Sequence, residues 1–69
     1  MRQLLEAEIV MLSGRHKVKK MAVENFLMSL GDLTEQEAIG NMYLDANLYR
    51  WNRETMDAIR KGIQMAAGK

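Results

Sequence analysis

The sequence predicts an all-α fold in which two shorter helices pack on one long C-terminal helix, the whole assembled as a homodimer. Three observations predict it. The 69 residues contain no proline, so nothing stops a helix by removing a backbone donor. A capping signature at Thr34 opens a run of good helix formers that continues to Ala66. That run carries more apolar surface than two short neighbours can cover, and a chain this short buries only about 60% of the surface its unfolded form exposes. With no cysteine for a disulfide or a thiolate metal site, the remaining sources of stability are good helix packing or association with another chain. The chain reads as one small helical domain spanning 1–69.

The first helix is expected from Met1 to Leu12. Leu5, Ile9 and Leu12 keep the i, i+4, i+7 spacing of one helical face, Leu4 and Met11 widen it, and Glu6 and Glu8 point away. The stretch Glu8-Ile9-Val10-Met11-Leu12 also fits a strand, but no alternating partner strand follows it. Ser13-Gly14 ends the element.

Arg15-His16-Lys17-Val18-Lys19-Lys20 is the one concentrated basic run. It reads as the solvated first turns of a second helix, or alternatively as a contact for phosphate or an acidic partner through Arg15, Lys17, Lys19 and Lys20. Positive charge opposes the dipole at a helix start, which moves the expected start toward Val18. Val18, Ala22, Phe26 and Leu30 form one line of this helix, with Val23 and Leu27 beside it. Gly31 fits a left-handed residue closing the helix, and Gly31-Asp32 is a connection short enough to set the second and third helices side by side.

The third helix opens at Thr34-Glu35-Gln36-Glu37. A threonine hydroxyl there accepts from the backbone N–H three residues on, and the Glu37 carboxylate reaches back to the N–H of Thr34. Glu35 and Glu37 also suit the positive end of the helix dipole. From Glu35 to Ala66 the helix runs 32 residues, roughly 48 Å at 1.5 Å per residue. Gly40 and Gly62 are its soft points, each costing about 1 kcal/mol relative to alanine. Met42, Tyr49, Met56, Ile59 and Ile63 fall along one stripe, with Leu44, Leu48 and Trp51 on an adjoining one. Asn47, Arg50, Glu54, Asp57 and Lys61 make the solvated side. Asp45 and Asn52 lie seven residues apart within the apolar arc, either as a register-setting polar pair in a helix seam or in a wet groove between two narrow stripes.

Chemistry is limited by what is present. His16 is the sole histidine, and without cysteine no transition-metal site finds its usual ligands. Asp32, Glu35 and Glu37 are explained as turn and cap residues and do not match a calcium loop. No glycine-rich phosphate loop or nucleophile elbow occurs. The expectation is therefore a non-enzymatic protein with no catalytic residue, cofactor or metal. The apolar stretches are too short for a secretory signal or a transmembrane span, which implies a cytoplasmic protein that does not enter the membrane.

Net charge is +1, but it is unevenly placed: residues 1–30 sum to +2, residues 31–49 to −4 and residues 50–69 to +3. A helix-turn-helix reader beginning at Glu35-Gln36-Glu37 would push carboxylates toward DNA phosphates. Nucleic acid, if bound, would use the basic run, with help from Arg50, Arg53, Arg60 and Lys61.

Leu33-Thr34, then six residues, then Asn41-Met42-Tyr43 and Ala46 three further on, resembles the loop and long-helix start of the small nucleoid-associated modulators of the Hha and YmoA type. The resemblance covers about 14 residues. It implies a helical protein that binds a larger nucleoid protein to adjust gene silencing. The chain departs from that pattern in its first helix, in the basic run, and at Ala46-Asn47-Leu48-Tyr49, where the family has Ala-Asp-His-Arg.

Taken together, the residues point to a small regulatory protein–protein interaction module, paired with itself and an unidentified protein partner through an apolar face of the long helix. The expected interface residues are Leu44, Leu48 and Trp51, with Asp45 and Asn52. The alternative is a nucleic-acid- or nucleoid-associated transcription modulator acting through Arg15 to Lys20.

Overall fold

A computed structural model describes residues 1–68. Among them are four α-helices, α1 (Glu6–Ser13), α2 (Lys20–Leu27), α3 (Glu35–Tyr49) and α4 (Arg53–Ala67), with a single 3-10 turn at Leu30–Asp32 and no strand. The protein is all-helical, and the competing strand reading of Glu8–Leu12 is excluded because those residues lie in α1.

The helix predicted to run from Glu35 to Ala66 is two helices. Arg50 takes a left-handed conformation (φ 54°, ψ 51°) that closes α3, and the N–H of Trp51 donates to the carbonyl of Ala46 at 3.0 Å. Two residues later Asn52 caps a new helix, its Oδ1 accepting the N–H of Thr55 at 3.3 Å. The cause is local: Asn satisfies a helix start better than a helix interior, and its side chain competes with the backbone for the same donors. The chain therefore turns back sharply, and the 48 Å rod becomes an α3–α4 hairpin with the α3 arm about 22 Å long.

α4 is the centre of the molecule, with α1, α2 and α3 all packed on it. Its inward stripe is Thr55, Ala58, Ile59, Gly62, Ile63 and Ala66, all buried, related by the three- and four-residue steps of a helical face. Against it lie Leu12 of α1, Val23 and Leu27 of α2, Leu30 of the 3-10 turn, and Ala38 and Met42 of α3. In α2 the buried residues are Val23 and Leu27; of the predicted line, Leu30 is buried in the 3-10 turn, whereas Val18, Ala22 and Phe26 are half-buried, and Ala22 and Phe26 line the gap between α2 and α3. Gly62 is less a weak point than a contact: α2 crosses so closely that a Cβ there would lie 2.5 and 2.8 Å from the Leu27 methyls. Gly40 has nothing within 4 Å.

Two other expectations change. The first helix starts at Glu6, not Met1, because Met1–Leu5 spend their polar groups across the fold. The Met1 ammonium donates to the carbonyl of Leu33 (3.0 Å), and the Arg2 N–H to that of Ala66 (3.2 Å). The Gln3 amide donates to the carbonyl of Met28 (2.6 Å) while its Oε1 accepts the N–H of Gly31 (3.1 Å). Glu8 then accepts the Leu5 N–H at 2.8 Å and starts the helix. Gly31 is not left-handed; no described glycine has positive φ, and it lies instead in the 3-10 turn, where the Gln3 side chain occupies the space of a Cβ. The left-handed residues are Lys17 (φ 62°) and Arg50.

The Thr34 capping box forms as predicted, with Glu37 N–H donating to Thr34 Oγ1 at 3.1 Å and Thr34 N–H to Glu37 Oε1 at 2.9 Å. The Thr34 N–H, and next the Thr34 side chain, hold the Glu37 carboxyl below its ordinary range.

Candidate functional site: the outer face of α3 and the α2–α3 groove

Only one side of α3 is used by the core. Ala38 and Met42 are buried, Asp45 and Ala46 half-buried, and five large apolar residues stand in solvent: Ile39, Tyr43, Leu44, Leu48 and Tyr49. Leu44 and Leu48 are the barest, 69% and 71% exposed, and one turn apart they make a pair on the side of α3 turned away from α4. Tyr43, at 54% exposure, accepts a hydrogen bond from Arg60 of α4 at 3.3 Å. Tyr49, expected on the inward stripe with Met42, is exposed instead.

Between α2 and α3 runs a groove of about 660 Å³. Ala22, Phe26, Leu33 and Trp51 supply its apolar lining, and Lys19 and Asp45 are among its polar residues. Trp51 meets Phe26 edge-on, with ring centroids 5.8 Å apart and planes at 85°, and stacks on Tyr49 at 6.4 Å and 21°. Such pairs contribute on the order of 1 kcal/mol beyond the area they bury. Trp51 is thus half-buried and tied to α2, whereas Leu44 and Leu48 are free of intramolecular contacts of that kind.

Asp45 and Asn52 do not share a line, because the helical register is lost at Arg50. Asp45 is half-buried on the α3 side of the groove. Asn52 belongs to a network that fastens the α1–α2 connection to the α3–α4 turn. Its Nδ2 donates to the carbonyl of Lys17 at 2.8 Å, and its Oδ1 accepts from both the N–H and the hydroxyl of Thr55. Thr55, fully buried, in turn accepts the N–H of Lys19 at 2.9 Å. The buried Thr55 hydroxyl is thus satisfied as both donor and acceptor, as its burial requires.

Compared with protein-family models, curated proteins and solved structures, the chain matches none. The local resemblance over residues 33–46 gains no support from those comparisons.

The basic run lies mostly in the α1–α2 connection rather than in the first turns of α2, which begins at Lys20. Arg15, Lys17, Lys19 and Lys20 are all exposed. The network just described brings Lys17 and Lys19 to the α3–α4 turn, where Lys19 Nζ donates to the carbonyl of Arg50 at 3.4 Å. Arg50 and Arg53 are exposed at the same place. The ion pair found among the described residues, Arg2 with Glu8 at 2.8 Å, is elsewhere and neutralises none of these charges. It holds the Glu8 carboxyl down to about 2, chiefly through the Arg2 side-chain hydrogen bonds and next through the Leu5 N–H. Among the described residues no three of His, Asp or Glu converge as metal ligands would, and no helix is long and apolar enough to cross a membrane.

Proposed function

We propose that the chain is a small non-enzymatic helical interaction module, cytoplasmic and regulatory, that works as a homodimer and meets its protein partners through the outer face of α3. The observation that carries this reading is the pair Leu44 and Leu48, about 70% exposed on a helix whose other side already fills the core. Large apolar side chains clustered on a small domain mark an association surface, since exposure is unfavourable by roughly 25 cal/mol per Å². The surface differs from the one expected of a continuous rod. Leu44 and Leu48 keep the role of contact residues, while Trp51 and Asn52 serve mainly to form the turn and Asp45 lines the neighbouring groove. Sedimentation equilibrium tests the reading: a dimer in the micromolar range supports it, and a strict monomer at high micromolar concentration refutes self-association.

A second reading is favoured by the gathering of Arg15, Lys17, Lys19, Lys20, Arg50 and Arg53 into one exposed basic region. A nucleic-acid-associated regulator would bind there, with affinity that falls steeply as salt rises and falls again when Lys17, Lys19 and Lys20 are neutralised. No binding to duplex or single-stranded probes at low salt removes it.

A further inference from the structure

We propose that two copies pair through antiparallel α3 helices, Leu44 of each against Leu48 of the other. This rests on the reading of the chain as self-associating and adds to it the surface, the polarity and the register.

The outward face of α3 presents Glu37, Asn41, Leu44 and Leu48, exposed and spaced by four, three and four residues. That is the spacing with which one helix keeps a seam toward another. Its apolar part lies in the C-terminal half, so the leucines meet only if the helices are staggered about a point between Leu44 and Leu48. A two-fold axis there puts each Leu44 beside the partner's Leu48, Asn41 level with the partner's α3–α4 turn, and Glu37 just past that turn, where the long basic side chains around it reach.

Charge selects the antiparallel arrangement. Residues 31–49 hold four carboxylates and no basic group, and three of those carboxylates, Asp32, Glu35 and Glu37, stand at the N-terminal end of α3. The C-terminal end is ringed by Lys17, Lys19, Arg50 and Arg53. The Arg2–Glu8 pair uses none of them, and the Met1 ammonium on the Leu33 carbonyl and Glu54 beside Arg53 offset only one charge at each end, so α3 runs from an acidic end of the monomer to a basic one. Antiparallel pairing sets acidic end on basic end twice over, and parallel pairing sets like on like. An acidic peptide would satisfy only the basic end. An anionic membrane would be repelled by Glu35 and Glu37.

Sedimentation equilibrium at low ionic strength on the full chain, four single variants and one double variant tests this. Leu48→Glu should raise the dimer dissociation constant at least about tenfold, and Val10→Glu, at an exposed apolar position on α1, should leave it unchanged. Glu35→Lys and Arg53→Glu should each weaken the dimer several-fold, and the two reversals in one chain should restore it, because each then meets its opposite in the partner. Far-UV circular dichroism confirms that each variant is folded. A dimer indifferent to Leu48→Glu overturns the proposal while leaving self-association standing. A dimer lost with Leu48→Glu but not restored by the double reversal overturns the antiparallel polarity, and a strict wild-type monomer overturns both readings.

Discussion

Gly40 and Gly62 both sit inside helices, and changing each to alanine should have opposite effects. A glycine in a helix interior costs about 1 kcal/mol relative to alanine, so either substitution begins with the same gain. At Gly40 nothing lies within 4 Å of the new Cβ, and the full gain is realised. At Gly62 the Cβ would lie 2.5 and 2.8 Å from the two Leu27 methyls and 3.2 Å from Leu27 Cγ. Turning the methyls does not clear the branch carbon, and Leu27 is fully buried, so α2 has to move or Leu27 has to leave its rotamer. Overpacking of this kind costs about 1–3 kcal/mol. Because the helix-propensity gain is common to both, the two variants should differ by that same amount. For a domain of this size, each kcal/mol corresponds to about 4–8 °C in Tm. Thermal and urea unfolding followed by circular dichroism at low micromolar concentration should place Gly40→Ala above the wild type and Gly62→Ala at or below it. In a Leu27→Val background, which removes the obstructing methyls, Gly62→Ala should lose most of its penalty. Equal stabilisation by both alanines, or a Gly62→Ala penalty unchanged by Leu27→Val, would refute the close crossing of α2 on α4.

Other outcomes follow from the turn and the N-terminal segment. Thr55→Val keeps the volume but strands the Lys19 N–H and removes a donor to Asn52, and should lower stability by about 1–3 kcal/mol in urea titrations. Arg50→Gly should raise stability by about 1 kcal/mol, since a left-handed position closing a helix suits glycine; a loss would mean the Arg50 side chain contributes to the turn. Glu8 binds its proton less readily when folded, near 2 against an ordinary 4.5, so its share of stability is complete above 4.5 and is lost as pH falls toward 2. Acid unfolding curves of Arg2→Ala should show a shallower loss across that window than the wild type, and indistinguishable curves would deny the pair any linkage to folding.

How much of this was legible in the sequence varied with the range of the cause. The Thr34–Glu37 box lies within four residues and involves nothing distant, so it could be read directly. Asn52 with Thr55 is an equally local helix start, yet it was hidden by strong helix formers on both sides and by reading Trp51 into a leucine stripe. Once Arg50 turns left-handed, the angular positions of all later residues change, which is why Asp45 and Asn52 share no face. The extended Met1–Leu5 segment was not legible, because its partners, Met28, Gly31, Leu33 and Ala66, are 25 or more residues away. The outer pair Leu44 and Leu48 could be anticipated from their offset from the Met42 stripe, which does not depend on the broken register.

Methyl NMR across a dilution series addresses self-association at Leu44 and Leu48 most directly. The methyl resonances of those two residues should move together with concentration, along one binding curve, while those of buried Leu12 and Leu27 stay in place. Leucine spectra that are invariant from low to high micromolar concentration, or shifts confined to other residues, would contradict α3 as the contact surface.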